Sequence, residues 1–455
     1  MKKRDLLELT VDEMVFGGES IALHEGQKVV FKGGIRGQKV KLLIKKIRKN
    51  KIEGKLLSVI QSSPLETMPV CLHFGKCGGC SLLSLPYEEQ MKIKKQQLRE
   101  LFLQSGHEEL LLEEVYGSPA VHEYKNKMEF TFGDEEKGGE LALGMHMKNT
   151  PVGIAYVHSC MLVDEDYRRI LRGTRDFFRK EELPHYRTLS HEGYLRHLVL
   201  RKGQNTGEIQ VNLVTTSQLD YDLAAYVDML RGLSLQGDLV SILHTTNDAL
   251  SDAVIPEKVE LLFGRENFFD ALLGKKFEIS PFSFFQTNTK GAECLYQTAF
   301  ELIQGRKSVI FDLYSGTGTI GILAAEKAGR VYGIELIEEA VEMARRNAAA
   351  NGIENCEFIA GDVMQEVSKL TDKPDLIILD PPRAGMHLRA LLDVIAFSAP
   401  EILYISCNPK ALMRDLKILK EQGYRVREVR AVDMFPHTVH VETIVLLSKL
   451  DSKAY

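Results

Sequence analysis

Ser308-Val-Ile-Phe-Asp-Leu-Tyr-Ser-Gly-Thr-Gly-Thr-Ile-Gly321 decides the fold of this chain. An apolar run suited to a buried strand ends at Tyr314 and enters a glycine-rich turn. Ile322-Leu-Ala-Ala-Glu-Lys-Ala328 then reads as a helix. Glycines 316, 318 and 321 match G-x-G-x-x-G, a pattern that makes a tight turn and lets a ligand approach backbone amides at a helix N-terminus. Further apolar runs follow: Arg330–Glu335, Cys356–Asp362, Asp375–Asp380 and Glu401–Ser406. Strands alternating with helices from about residue 281 predict a doubly wound α/β domain over 281–455.

The turn alone admits NAD, FAD or S-adenosylmethionine. Glu335 lies 19 residues after Gly316, near the spacing at which a carboxylate meets ribose hydroxyls. With Asp362 and Asp380 it places acids at successive strand ends. That suits a cofactor bearing an amine, a ribose and an adenine, and repels a pyrophosphate. The reading is S-adenosyl-L-methionine.

Asp380-Pro-Pro-Arg383 lacks the aromatic that follows such a turn in amino-group methyltransferases, so N-methylation is disfavoured. Cys407, in Tyr404-Ile-Ser-Cys-Asn-Pro409, falls at the carboxyl end of the fifth strand, the edge that faces the ligand crevice. A pyrimidine C5 is too weak a nucleophile to take a methyl group unaided. A thiolate added at C6 makes the ring an enolate that can attack, and a base must then remove the C5 proton. Glu442, in Val439-His-Val-Glu-Thr443, is the expected base, because it precedes the apolar run expected as the last strand and can be desolvated. His437 and His440 flank it and are read as structural.

At 455 residues the chain predicts two or three domains, and 44% apolar with 27% charged residues are those of a soluble globular protein. A net charge of −5 leaves nucleic-acid contact to local patches. The chain has no run of apolar residues long enough to span a bilayer, and its start lacks the apolar core of a signal peptide. Seven cysteines without an export signal point to a reducing, cytoplasmic setting.

Residues 1–60 read as short strands broken by glycine turns, a small all-β barrel. Positive charge concentrates there: Lys28, Lys32, Arg36, Lys39, Lys41, Lys45, Lys46, Arg48, Lys49, Lys51 and Lys55 face one acid, Glu53, between residues 26 and 55. Such a face can grip a phosphate backbone. Residues 61–280 open with Cys71, Cys77 and Cys80 in a C-x5-C-x2-C run, continue with a helical stretch over Tyr87–Phe102, and read as antiparallel α+β from about 121. Cys160 is the expected fourth thiolate. Four thiolates suit an iron–sulfur cluster or tetrahedral zinc.

Together these motifs resemble the S-adenosylmethionine-dependent RNA uracil-C5 methyltransferases, in particular the branch that modifies 23S ribosomal RNA and carries a [4Fe-4S] cluster. The resemblance covers nearly the whole chain. It implies an OB-like TRAM module for the N-terminal barrel and cluster ligation by Cys71, Cys77, Cys80 and Cys160. It further implies cofactor contacts from Gln286 (in Phe285-Gln-Thr-Asn288), Tyr314, Glu335, Asp362 and Asp380, with Cys407 as nucleophile and Glu442 as base. Asp380 is also implied as a uracil contact. The chain departs from the family at Tyr124-Lys-Asn-Lys127, where relatives often carry arginine at the second position; Lys125 loses the planar fork. The expected substrate is a flipped-out uridine of 23S rRNA, with tRNA as the alternative, and the expected state is a monomer. A non-enzymatic RNA-binding iron–sulfur protein is the more distant reading.

Overall fold

The computed structural model describes residues 2–48, 51–107, 112–148, 150, 152–367 and 369–450; Lys49 of the basic stretch lies outside the described residues. The largest sheet has eight strands: β1 (Val115–Tyr116), β2 (Lys307–Leu313), β3 (Ala328–Glu335), β4 (Cys356–Ala360), β5 (Leu376–Leu379), β6 (Glu401–Ser406), β7 (Tyr424–Val432) and β8 (Glu442–Lys449). Their order is β4-β3-β2-β5-β6-β8-β7-β1. Strands β2 to β6 pair in parallel, and β8 runs antiparallel to both β6 and β7. The chain builds outward from β2 to β4, then returns to β5 on the other side of β2. That switch of direction opens a crevice at the carboxyl ends of β2 and β5.

Strands β2, β5, β6 and β8 are buried along most of their length, as their near-continuous apolar sequences require when helices cover both faces. The helices that matter below are α1 (Tyr87–Gln104), α2 (Thr289–Glu301), α3 (Thr319–Ala324), α4 (Glu338–Ala350) and α5 (Pro409–Glu421). Two expectations are corrected here. The helix after the glycine turn starts at Thr319, not Ile322, because Gly318 turns the chain at φ 80° and helical residues follow at once. It ends early in a 3-10 turn, since Ala328 pairs with Lys307 as the first residue of β3. Strand β8 is the last in the chain but lies inside the sheet, between β6 and β7.

Part of the stretch expected in the central region packs on this C-terminal sheet. Leu98 and Phe102 of α1 are buried beside Leu412 and Leu416 of α5 and Tyr424 and Val429 of β7, and β1 extends the sheet by pairing with Ala431 and Val432.

The central sheet has seven strands and is mixed, not purely antiparallel. Glu208–Thr215 and Asp238–Thr246 pair in parallel, and the helix Ala224–Arg231 supplies the crossover that parallel neighbours need. Leu195–Arg201 is buried at every position, so its alternation reflects an apolar face against the helix Glu165–Lys180 and a polar face covered by loops rather than water.

At the N-terminus six strands between Leu6 and Gln61 form a separate sheet around Val29, Phe31, Val40, Leu42 and Ile44. Of its described basic residues, all but the half-buried Lys41 are exposed. A turn of this sheet reaches the C-terminal one: Gln97 donates to the Met14 carbonyl at 3.0 Å, and the Lys410 ammonium lies 5.9 Å from the Phe16 ring. Among the described residues no helix is long and apolar enough to cross a membrane.

Candidate active site

The glycine turn follows from backbone demands that only glycine meets cheaply. A Cβ at Gly318 would sit 2.8 Å from both Ala344 and Phe358, and its left-handed backbone disfavours any other residue. Tyr314, with φ 68°, bends the chain as it leaves β2, held by bonds from its own N–H and that of Ser315 to the Ile334 carbonyl. The following helix, α3, points its N-terminus at the crevice.

A cavity of about 350 Å³ lies in that crevice. Gln286, Tyr314, Gly316, Glu335 and Asp380 line it, with Phe284 and Ile337 at its apolar side. Glu335 accepts from the Gly316 N–H at 3.1 Å through one oxygen and from the Leu336 and Ile337 N–H groups at 2.9 and 3.1 Å through the other. These bonds fix the carboxylate at the end of β3. Asp362 is not among the lining residues. It follows β4, acts electrostatically on Tyr314, and accepts from the Gln365 N–H at 3.3 Å at the start of the helix Val363–Val367.

Beside Asp380 two further groups gather. Asp380 directly follows β5, Cys407 directly follows β6 and Glu442 begins β8. Burial raises all three, and neighbouring carboxylates add to it at Cys407 and Glu442. Glu442 is pushed up to about 8 by burial and then by Asp380, with Arg383 opposing. Asp380 rises to about 7 through burial. Cys407 rises to about 11 through burial, Glu442 and Asp380, against Arg383. The Arg383 carbonyl accepts from the Asn408 side chain at 2.9 Å, which ties the turn after β5 to the turn after β6. The arrangement therefore keeps a neutral thiol and a carboxyl group poised near neutrality beside a cavity rich in acids.

His437 and His440 are held well below the usual imidazole range, at about 4, first by burial. Neither is charged at neutral pH. His440 accepts from Arg383 through Nδ1 at 3.3 Å.

Sequence reading missed Asp312. It is buried under the glycine turn, raised to about 7 by burial and then by Asp380 and Glu335, with the Gly321 amide opposing. A lone carboxylate inside an apolar strand was its signal. It also missed the clamps on the loop that carries Gln286. Arg201 donates from one nitrogen to the carbonyls of Ser280, Pro281 and Ser283 at 2.8, 2.9 and 3.1 Å, and Asn126 donates to the Gln286 carbonyl at 2.8 Å.

The four cysteines Cys71, Cys77, Cys80 and Cys160 line one small cavity of about 60 Å³ together with Lys125. All are free thiols, and burial raises Cys80 and Cys160 to about 12 and 11. Among the described residues no three His, Cys, Asp or Glu side chains form a ready-made site for a single metal ion. Lys125 is half-buried here and faces Phe435 at 6.0 Å.

Another cavity, about 680 Å³, lies on the central sheet by His146, Tyr186, Arg196 and His197. It is lined by none of the expected site residues and touches neither the glycine turn nor a carboxyl end of β2 to β6, so volume alone does not make it the candidate site.

A doubly wound sheet with β8 inserted antiparallel, a glycine turn after β2 and acids around the cofactor crevice defines an S-adenosylmethionine-dependent methyltransferase. The family model for tRNA (Uracil-5-)-methyltransferase matches residues 271–450. An RNA methyltransferase of Clostridium tetani is 51% identical over 453 residues, covering 99% of each chain. One from Caldanaerobacter subterraneus is 45% identical over 450 residues, covering 99% of this chain and all of its own. The crystal structure of Pyrococcus abyssi tRNA (uracil-54, C5)-methyltransferase in complex with S-adenosyl-L-homocysteine superposes with a TM-score of 0.76 at 28% identity, covering 97% of this chain and 100% of that one. The chain belongs to the RNA (uracil-5-)-methyltransferases, enzymes that act on RNA with S-adenosylmethionine.

Proposed function

We propose that this enzyme methylates C5 of a uridine in 23S rRNA through a covalent adduct on Cys407. The convergence of Asp380, Cys407 and Glu442 beside the cofactor cavity carries the reading. Bound S-adenosylmethionine supplies an electrophilic methyl group. Gln286, Tyr314, Gly316, Glu335 and Asp380 bind it, and Asp362 orders the adjacent turn. Once the Cys407 thiol has lost its proton to solvent, the thiolate adds to C6 of the uracil, and the ring's electron pair reaches C5, which takes the methyl group. Glu442 then accepts the C5 proton, and the C6–S bond breaks as the double bond returns. A carboxyl group raised to about 8 is a stronger base than an ordinary one, and its desolvated site excludes competing water. Asp380 and Arg383 face the same space and suit contact with the uracil edge.

The N-terminal six-stranded sheet, residues 1–60, acts as a TRAM-type RNA module through its exposed lysines and arginines. Residues 61–280 carry the cysteines and the central sheet, except that Tyr87–Gln104 and Val115–Tyr116 join the C-terminal sheet, and the described residues from 281 on supply the catalytic groups. The four thiols facing one cavity, with a cation beside them, fit a [4Fe-4S] cluster, which would deprotonate thiols that burial alone keeps neutral. Its role is structural, because methyl transfer moves no electrons. The cysteine quartet favours the 23S rRNA branch; the likeness to the Pyrococcus abyssi enzyme favours tRNA as a second reading.

The test uses RNA substituted with 5-fluorouridine, whose C5 fluorine cannot leave as a proton. With S-adenosylmethionine and 23S rRNA fragments, a denaturation-resistant protein–RNA band that Cys407→Ala abolishes is expected. A band with tRNA alone changes the substrate. No band with either RNA, from protein that binds cofactor, overturns the uracil-C5 reading.

A further inference from the structure

The loop from Asp433 to Val441 leads from β7 into Glu442, and it turns at His437 with φ 66°, a backbone conformation unfavourable for a residue with a Cβ. Partners from one distant stretch hold this turn. Gln90, fully buried on α1, accepts the His437 N–H at 2.9 Å through Oε1. Its Nε2 lies 3.1 Å from His437 Nδ1 and also donates to the Leu85 carbonyl at 2.9 Å. The His437 carbonyl accepts from the N–H groups of Ser81 and Leu82 at 2.9 and 3.0 Å, and the ring stacks on His122 at 5.0 Å. With its imidazole neutral, Nδ1 is free to accept from the Gln90 amide. Both polar atoms of the Gln90 carboxamide thus meet His437, five residues before Glu442.

We propose that Gln90 is a positioning residue for the proton-removal step: it sets the turn at His437 and so aims the Glu442 carboxylate at C5. The inference rests on Glu442 being the base. The step it serves moves the C5 proton to Glu442 and returns the electron pair to the ring, which expels the Cys407 thiolate. The anchor amides belong to the residues directly after Cys80, so the same clamp joins the cysteine site to the base.

A misplaced base leaves thiolate addition and methyl transfer intact and blocks release. Gln90→Met keeps the side-chain volume and removes both polar atoms. On ordinary uridine RNA with S-adenosylmethionine, it is expected to accumulate a methylated, denaturation-resistant adduct through Cys407. Its kcat should fall about 10- to 100-fold, with S-adenosylhomocysteine binding within about twofold of the parent. A folding defect would lower adduct and turnover together. Glu442→Gln is the reference. Adduct in both variants supports the clamp. Adduct in Glu442→Gln with none in Gln90→Met overturns it, whether Gln90→Met turns over normally or is simply inactive. No adduct in Glu442→Gln places the failure in the assignment of the base. Should Gln90→Met not fold, Gln90→Glu carries the same readout, because it keeps the acceptor for the His437 amide and loses the donor.

Discussion

Ser406 and Thr443 stand opposite each other across β6 and β8. Cys407 is one residue past the first and Glu442 one residue before the second, so an antiparallel register brings the proposed nucleophile and the proposed base to one end of the sheet although the chain separates them widely. Glu442 then acts on the proton of Cys407. The Glu442 carboxylate raises the Cys407 thiol, which sits at about 11. Glu442→Gln removes that charge, so the pH midpoint for alkylation of Cys407 by iodoacetamide should move down, read from the Cys407 peptide by mass spectrometry. An unchanged or raised midpoint would show that the two groups do not interact. Turnover in the same variant should drop by about 10²- to 10⁴-fold, the usual worth of a positioned base.

The stability contributed by Asp312, Asp380 and Glu442 should fall as pH rises from about 4 to about 8. Asp312, Asp380 and Glu442 have folded-state values of about 7, 7 and 8, above their ordinary range, so the native state binds more protons than the unfolded chain across that window. The contribution is fully present below the unfolded values and is lost as pH climbs through the folded ones. Thermal melting at pH 5.5 and pH 8.5 checks this. Asp312→Asn stays neutral throughout and should narrow the gap between the two melting temperatures. A gap that stays the same would mean Asp312 is ionised in the native state.

Much of the candidate site was legible because its residues sit in short local motifs: a glycine turn after a strand, an acid at the end of β3, a cysteine just past β6. The parallel pairing of β2 to β6 follows from the same alternation, since parallel neighbours demand helical crossovers, but the insertion of β8 does not. What could not be read is what joins residues far apart. Gln90 meets His437 across 347 positions, and Arg201 reaches the Ser280–Ser283 loop across about 80. No local pattern marks such pairs; a buried glutamine in a charged, helix-forming stretch looks like any exposed one. The α1 helix shows the same limit. Its spacing predicted a helix, and the face it buries belongs to the C-terminal sheet, which only the packing of Leu98 and Phe102 reveals.

Two glycines of the turn should respond differently to alanine. Gly316 (φ 54°) has nothing near a built Cβ, so Gly316→Ala costs only backbone strain, about 1 kcal/mol. Gly318 (φ 80°) adds contacts at 2.8 Å to Ala344 and Phe358, so Gly318→Ala should cost a further ~1–3 kcal/mol as α4 and β4 move apart. Chemical denaturation gives both values. Equal losses would mean that α4 yields freely.

Cys77→Ser should lower soluble yield and RNA binding together, because its thiol lines the cavity shared by Cys71, Cys80 and Cys160, and Cys77 bridges to Met147 at the edge of the central sheet. Filter binding with a 23S rRNA fragment and the yield of soluble protein measure the two. Full yield with full binding and activity would remove the structural role proposed for the cysteine site.

Arg201 governs the cofactor loop from outside the cavity. It is buried, and burial lowers it to about 10, so it remains a cation at neutral pH. Its Nη1 serves three carbonyls of the loop that runs into Phe284, Phe285 and Gln286, the last of which lines the cavity beside Tyr314. Lysine at this position keeps the charge, but its shorter side chain leaves the ammonium short of the place Nη1 holds, so it cannot reach all three carbonyls in the same geometry. Hydrogen bonds to a charged donor contribute about 1.5–3 kcal/mol each, so a partial loss predicts a 10- to 100-fold rise in KM for S-adenosylmethionine in Arg201→Lys. The effect on kcat should be smaller, since Cys407 and Glu442 lie on other elements. Initial rates over a range of cofactor concentrations separate the two constants. A fall in kcat at constant KM would mean that Arg201 acts on the reacting centre and not on the loop.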